Sequence, residues 1–113
     1  MPPNPRMAVT LPSGPKICET IERLQWAEAN GYTDGWFADG GAPDSLTTAA
    51  ILGFYTQTMR IGIAATPVYT RTPAVLAATA NAIGQVLPGR FVMGLGSSSH
   101  NMMDGWHGIP LAK

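Results

Sequence analysis

Charge is scarce in this sequence. Only 12% of its 113 residues are Asp, Glu, Lys or Arg, about half the roughly 25% usual in globular domains. Seven basic residues balance seven acidic ones, so there is no electrostatic case for binding nucleic acid or an anionic membrane surface. Cysteine is almost missing. Cys18 alone excludes an internal disulfide and a cysteine-based metal cluster, and it fits a reducing, cytoplasmic setting. The two histidines, His100 and His107, do not stand in metal-ligand spacing with Cys18 or the carboxylates, so no metal is expected. Long apolar runs are missing as well. None approaches the roughly 18 residues of a membrane span. The segment 1–6 lacks the apolar core of a signal peptide and reads as a disordered tail.

Glycine and proline are plentiful, at 13 and 10, and they punctuate the chain. Met7–Leu11 reads as a first strand, closed by Pro12-Ser13-Gly14-Pro15. Ile17, Ile21, Leu24 and Ala27 recur at helical spacing opposite Glu19, Glu22, Arg23 and Glu28. Asn30-Gly31 ends that helix as a C-cap pair. Gly35–Ala38 is a second strand, closed by Asp39-Gly40-Gly41, and Asp44 or Ser45 caps a helix through Phe54. Met59–Ala65 is a third strand. Thr72-Pro73 is an N-cap and N1 pair for a helix from Ala74 to about Leu87. Pro88-Gly89 then turns the chain into Phe91-Val92-Met93-Gly94-Leu95-Gly96, a fourth strand feeding the small-residue loop Ser97-Ser98-Ser99. Residues 101–108 read as a loop or short helix.

Strands near 7, 35, 59 and 91 with a helix between each pair imply an α/β fold with a parallel sheet. Strands 2 and 4 are nearly unbroken apolar runs, as in strands buried on both faces. Two completions are open: a small doubly wound domain, or the first half of a (β/α)8 barrel. The half-barrel is favoured, because no clear helix follows strand 4 and its edge would otherwise stand bare.

Read in order, several segments resemble the N-terminal part of the luciferase-like family of flavin-dependent oxidoreductases, most closely its coenzyme F420 branch. They are Ala27-Glu28-Ala29-Asn30-Gly31-Tyr32 with Asp34 and Trp36, then Ala38-Asp39, Arg60-Ile61-Gly62 and Tyr69-Thr70-Arg71-Thr72-Pro73. Gly89-Arg90-Phe91, Gly94-Leu95-Gly96-Ser97-Ser98-Ser99 and Gly105-Trp106-His107-Gly108 complete the series. The resemblance implies a (β/α)8 TIM barrel of which this chain carries about the first four β-α units, with 1–6 a tail and 7–113 the N-terminal half of the barrel domain. It also implies hydride transfer between coenzyme F420, or alternatively FMN, and a small organic substrate, in a full-length protein that is a homo-oligomer.

By the same resemblance, Asp39 contacts the pyrimidine edge of the flavin. Ala64-Ala65 occupies the position of a non-prolyl cis peptide behind the ring, Thr66 donates to the coenzyme, and Gly96, Ser97 and Ser98 line the pocket. Two departures stand out. Gly40 replaces a histidine and Ser99 replaces a glutamate that do acid–base work in some members, so no catalytic residue is assigned.

The residues also admit blander roles. Asp39 is equally a loop residue bonding its own backbone, and Ser97–Ser99 a polar turn. Gly94-x-Gly96 is not a dinucleotide fingerprint. Arg71 has two readings, a partner for an anionic coenzyme tail or a surface ion-pair residue. Trp106-His107 reads as loop packing, Cys18 as a structural thiol, and Trp26, Trp36, Phe37 and Phe54 as core. Residues 1–113 alone are expected to lack activity, since half of the strand ends that build such a pocket are missing. The alternatives to an enzyme fragment are an inactive truncated half-barrel and a stand-alone flavodoxin-like FMN-binding domain.

Overall fold

The computed structural model describes residues 5–11, 16–40, 43–99 and 101–110. The Pro12–Pro15 turn, Gly41, His100 and residues 1–4 of the expected tail lie outside them. The elements alternate as β1 (Ala8–Thr10), α1 (Ile17–Ala29), β2 (Asp34–Phe37), α2 (Ser45–Phe54), β3 (Arg60–Pro67), α3 (Pro73–Val86) and β4 (Phe91–Gly96). A π-helical turn over Asn101–Trp106 follows. All three strand pairings are parallel and the sheet order is β1-β2-β3-β4.

Helix ends obey local chemistry. Asp44, of the two residues expected to cap α2, is the N-cap: its Oδ2 accepts from the Thr47 N–H at 2.9 Å. Thr72 caps α3 with Pro73 at its first turn. Asn30 closes α1, and Gly31 takes φ 88°, a left-handed conformation that glycine adopts without a Cβ penalty.

The sequential strand order removes the flavodoxin-like alternative, whose sheet is wound in both directions from a switch point. Here each crossover lands its helix on the same side of the sheet. Ile61 and Ile63 are wholly buried there with Leu24, Ala27, Leu46, Ala49, Leu52 and Leu76. The opposite face carries Asp34, Trp36 and Gly62. A Cβ on Gly62 would lie 2.5 Å from the Trp36 ring, its register partner. Ala8 and Thr10 are exposed on that face. A parallel sheet helix-covered on one face only is a barrel wall rather than a doubly wound layer.

Several expectations are corrected. Strand β3 runs to Pro67, because Thr66 and Pro67 keep their pairing with Leu95 and Gly96. Strand β4 is half-buried rather than enclosed, and Leu95 is 56% exposed, since β4 lies at the sheet edge. Trp26 and Phe54 are not core residues. They are 59% and 82% exposed, on outward helix positions where each meets a neighbouring ring, Tyr32 and Tyr55 respectively. Cys18 is exposed, one residue off the Ile17–Ile21–Leu24 stripe. Trp106 does not pack the loop and is 65% exposed.

Two of the motif residues frame the sheet. The Glu28 carboxylate accepts from the N–H groups of Gln57, Thr58 and Met59 at 3.1, 2.9 and 3.1 Å, fixing the turn that leads into β3. Arg90 donates to the Met59 carbonyl at 2.9 Å and to the Thr56 hydroxyl at 2.9 Å. Burial pulls the Glu28 pKa up, but these backbone donors outweigh it and hold the carboxyl below its ordinary value. Its contribution is therefore present at neutral pH and lost in acid. Replacing Glu28 with alanine is expected to lower stability by about 2 kcal/mol, the scale of hydrogen bonds to a charged acceptor. Urea unfolding measures it, and an unchanged midpoint would refute the bracing role.

Candidate functional site

The strand ends converge at one rim of the sheet, where α/β proteins place ligands. Asp39 lies two residues beyond β2 with its side chain 8% exposed. It is not a residue capping its own loop alone: Ser45, in the first turn of α2, donates its hydroxyl to Asp39 Oδ2 at 2.8 Å. Arg71 approaches the same oxygen at 3.8 Å and pairs closely with Asp44. The Thr70 hydroxyl accepts from Arg71 at 3.2 Å and donates to the Pro67 carbonyl at 3.1 Å. Arg71 is thus enclosed, 17% exposed, between two carboxylates. Of its two readings the ion-pair one holds, though at the site rather than on the open surface. Burial raises the Asp44 pKa, but bonds from Thr47 and the Arg71 guanidinium overcome that and keep it below the ordinary carboxylate value.

Asp39, Asp44, Thr70, Arg71 and His107 line one cleft of 230 Å³. With two carboxylates and one guanidinium it is net acidic, so it suits a ligand edge that donates hydrogen bonds rather than an anionic tail.

The remaining predicted residues form the adjoining wall. Ala64–Ala65 is a cis peptide. The two alanines stand opposite the single Gly94 in a bulge of the β3–β4 ladder, between the pairs Ile63↔Met93 and Thr66↔Leu95. Past the bulge the strands stay joined, with Val68 donating to the Gly96 carbonyl at 2.9 Å. A Cβ on Gly96 would come within 3.1 Å of Ala65 Cβ, so small residues let the two backbones approach. Ser97 and Ser98 are exposed beyond them, Ser98 with φ 60°. Thr66 is 0% exposed, and its Oγ1 is the buried side-chain polar atom without a partner among the described residues. A buried hydroxyl without a partner is unusual, but, enclosed as it is, Thr66 presents no surface to a ligand; it is the wall of Gly and Ala that fits the face of a flat ring.

Ser99 has a role the sequence did not suggest. Its Oγ and carbonyl accept from Met102 and Met103 at 3.2 and 2.9 Å, starting the π-helical turn that brings His107 over the cleft. Sequence reasoning assigned no site role to Ser45 or His107. Ser45 was detectable as a hydroxyl six residues after Asp39 at a helix start, whereas His107, although part of the Gly105-Trp106-His107-Gly108 segment, reads in the sequence as loop packing. Among the described residues no cluster of three or more His, Cys, Asp or Glu could hold a metal.

Comparisons agree with this geometry. A protein of Mycobacterium tuberculosis described as a coenzyme F420-dependent oxidoreductase is 32% identical over 87 residues, covering 77% of this chain and 25% of that protein. An F420-dependent secondary alcohol dehydrogenase, solved with an F420-acetone adduct, superposes with TM-score 0.83 at 16% identity. The match covers 95% of this chain and 36% of that one. The oxygenating component of 3,6-diketocamphane monooxygenase from Pseudomonas putida, solved with FMN, gives TM-score 0.76 at 20% identity, over 94% and 34% of the two chains. The chain thus spans a quarter to about a third of the length of these proteins, and its parallel four-stranded α/β sheet superposes on part of their barrel. The family model for luciferase-like monooxygenases matches residues 3–113, and the chain belongs to that family.

Proposed function

We propose that this chain forms one side of the coenzyme pocket in an F420- or FMN-dependent oxidoreductase acting on a small organic substrate. The observation that carries the reading is the small-residue wall of Ala64, Ala65 and Gly96, where an added Cβ on Gly96 would come within 3.1 Å of Ala65 Cβ, together with the Asp39 carboxylate held by Ser45 at the same rim. Such a wall lets a flat ring lie against backbone, and a fixed carboxylate suits its polar edge. Asp39, held by Ser45, accepts from the ring edge. Ala64, Ala65 and Gly96 let backbone approach the ring face, and Ser97 and Ser98 line its exit. When bound, the coenzyme supplies hydride chemistry; the protein's residues orient the ring and exclude water. We place the whole protein in the cytoplasm as a homo-oligomer.

Titration of the purified protein with F420 and, separately, with FMN tests this by fluorescence. Saturable but weak binding of one, with a dissociation constant on the order of 0.1 mM, is expected, because half of the strand ends that build the pocket are missing. No binding of either overturns the reading. Asp39→Asn should weaken binding by about tenfold or more, since a charged acceptor is worth roughly 1.5–3 kcal/mol.

A further inference from the structure

His107 lies outside every role assigned above, yet it lines the same cleft as Asp39. We propose that His107 is a coenzyme-facing residue of this pocket. It would contribute a nitrogen hydrogen bond to the polar edge of the ring. This rests on the flavin-type reading of the site. Three observations carry it. First, the turn bearing His107 is anchored, not loose: Met103 is 0% exposed, Ile109 donates to the Met103 carbonyl at 2.8 Å and Gly108 to the Asp104 carbonyl at 3.1 Å. Second, the polar groups facing it from other elements, Asp39, Asp44 and Arg71, already engage one another or their helix cap. That leaves the imidazole as the group at the mouth without a structural task. Third, Gly40 and Ser99 bring neither an imidazole nor a carboxylate to this rim, and among the described residues lining the cleft His107 supplies the one imidazole.

The test uses diethyl pyrocarbonate, which carbethoxylates accessible imidazoles, with peptide mass mapping of the modified positions. F420 and FMN are the probes, each at a concentration shown by fluorescence titration to saturate the protein. The rate at His107 should fall at least fivefold on saturation. Binding without protection of His107 overturns this inference and leaves the coenzyme reading standing. No saturable binding of either coenzyme overturns both. As a second measurement, His107→Ala should raise the dissociation constant about five- to tenfold, the scale of one hydrogen bond. His107→Gln, which keeps a donor and an acceptor, should recover most of that. Because His107 is exposed, both variants should melt with the wild type. Equal affinity for all three proteins contradicts the proposal.

Discussion

Gly94→Ala should destabilise this protein by about 3 kcal/mol. An ideal Cβ at this position lies 2.5 Å from the Ile63 carbonyl oxygen, well inside contact distance. The obstacle is the backbone of a central strand, so no side chain can rotate away. Either β4 moves outward or the bulge at Ala64-Ala65 is reshaped, and overpacking of this kind costs about 1–3 kcal/mol, more where the neighbour is rigid. At roughly 5 °C per kcal/mol for a domain of this size, the melting midpoint should fall by about 15 °C in far-ultraviolet circular dichroism. The control is Gly84→Ala, at a mid-helix glycine with nothing within 4 Å of an added Cβ; its melting point should not fall. If Gly94→Ala melts with the wild type, the close β3–β4 approach described above is wrong. The same displacement would part Ala65 from Gly96, so coenzyme affinity should fall with stability.

Caps and periodicity were readable because their chemistry is local. Asp44, Thr72-Pro73 and Asn30-Gly31 act within one helical turn of themselves, and each ends its helix where expected. The β-α alternation was visible for the same reason. What the sequence concealed depends on residues far apart in the chain. Glu28 serves a turn roughly thirty residues later. Arg71 is drawn to Asp39 and Asp44 across two loops, and His107 reaches the cleft by way of a turn that begins at Ser99. Hydrophobicity misled at Trp26 and Phe54, because large apolar side chains are not reliably inside. The choice between a barrel wall and a doubly wound sheet also lay beyond local pattern. It required the strand order, which decides whether helices cover one face or two. The resemblance located the cis peptide at Ala64-Ala65.

At the other end of the strands, Asp34→Asn should cost about 3 kcal/mol while leaving coenzyme affinity of the folded protein unchanged. Asp34 opens β2 with its side chain 3% exposed, and it holds two arginines: Arg6 Nε at 3.0 Å, just before β1, and Arg60 Nη2 at 2.8 Å, its register partner on β3. Removing the charge, and replacing one acceptor oxygen with an NH2 donor, leaves both guanidinium groups without their counter-charge, and breaking a buried pair from one side costs about 3–5 kcal/mol. The lower end applies, because Arg6 is 55% exposed and Arg60 35%. Burial pushes the Asp34 pKa up, but bonds from Arg6, Thr33 and Arg60 more than reverse this and bring it from 3.8 down to about 2. A depressed carboxylate stabilises the fold above its unfolded pKa, and that stabilisation is lost as pH falls through the folded one. Wild-type stability should therefore drop between about pH 4 and pH 2, and the drop should be shallower in Asp34→Asn. Urea midpoints taken across that range decide it, and parallel acid profiles for the two proteins would remove the ion cluster from the stabilising account. Constancy of coenzyme affinity is the sharper half of the prediction. The ion cluster ties the N-terminal ends of β2 and β3, whereas Asp39, Ala65 and Gly96 lie at the C-terminal ends. In a barrel wall the first set holds the strands together and the second meets the ligand, so a substitution that weakens one end should not be felt at the other.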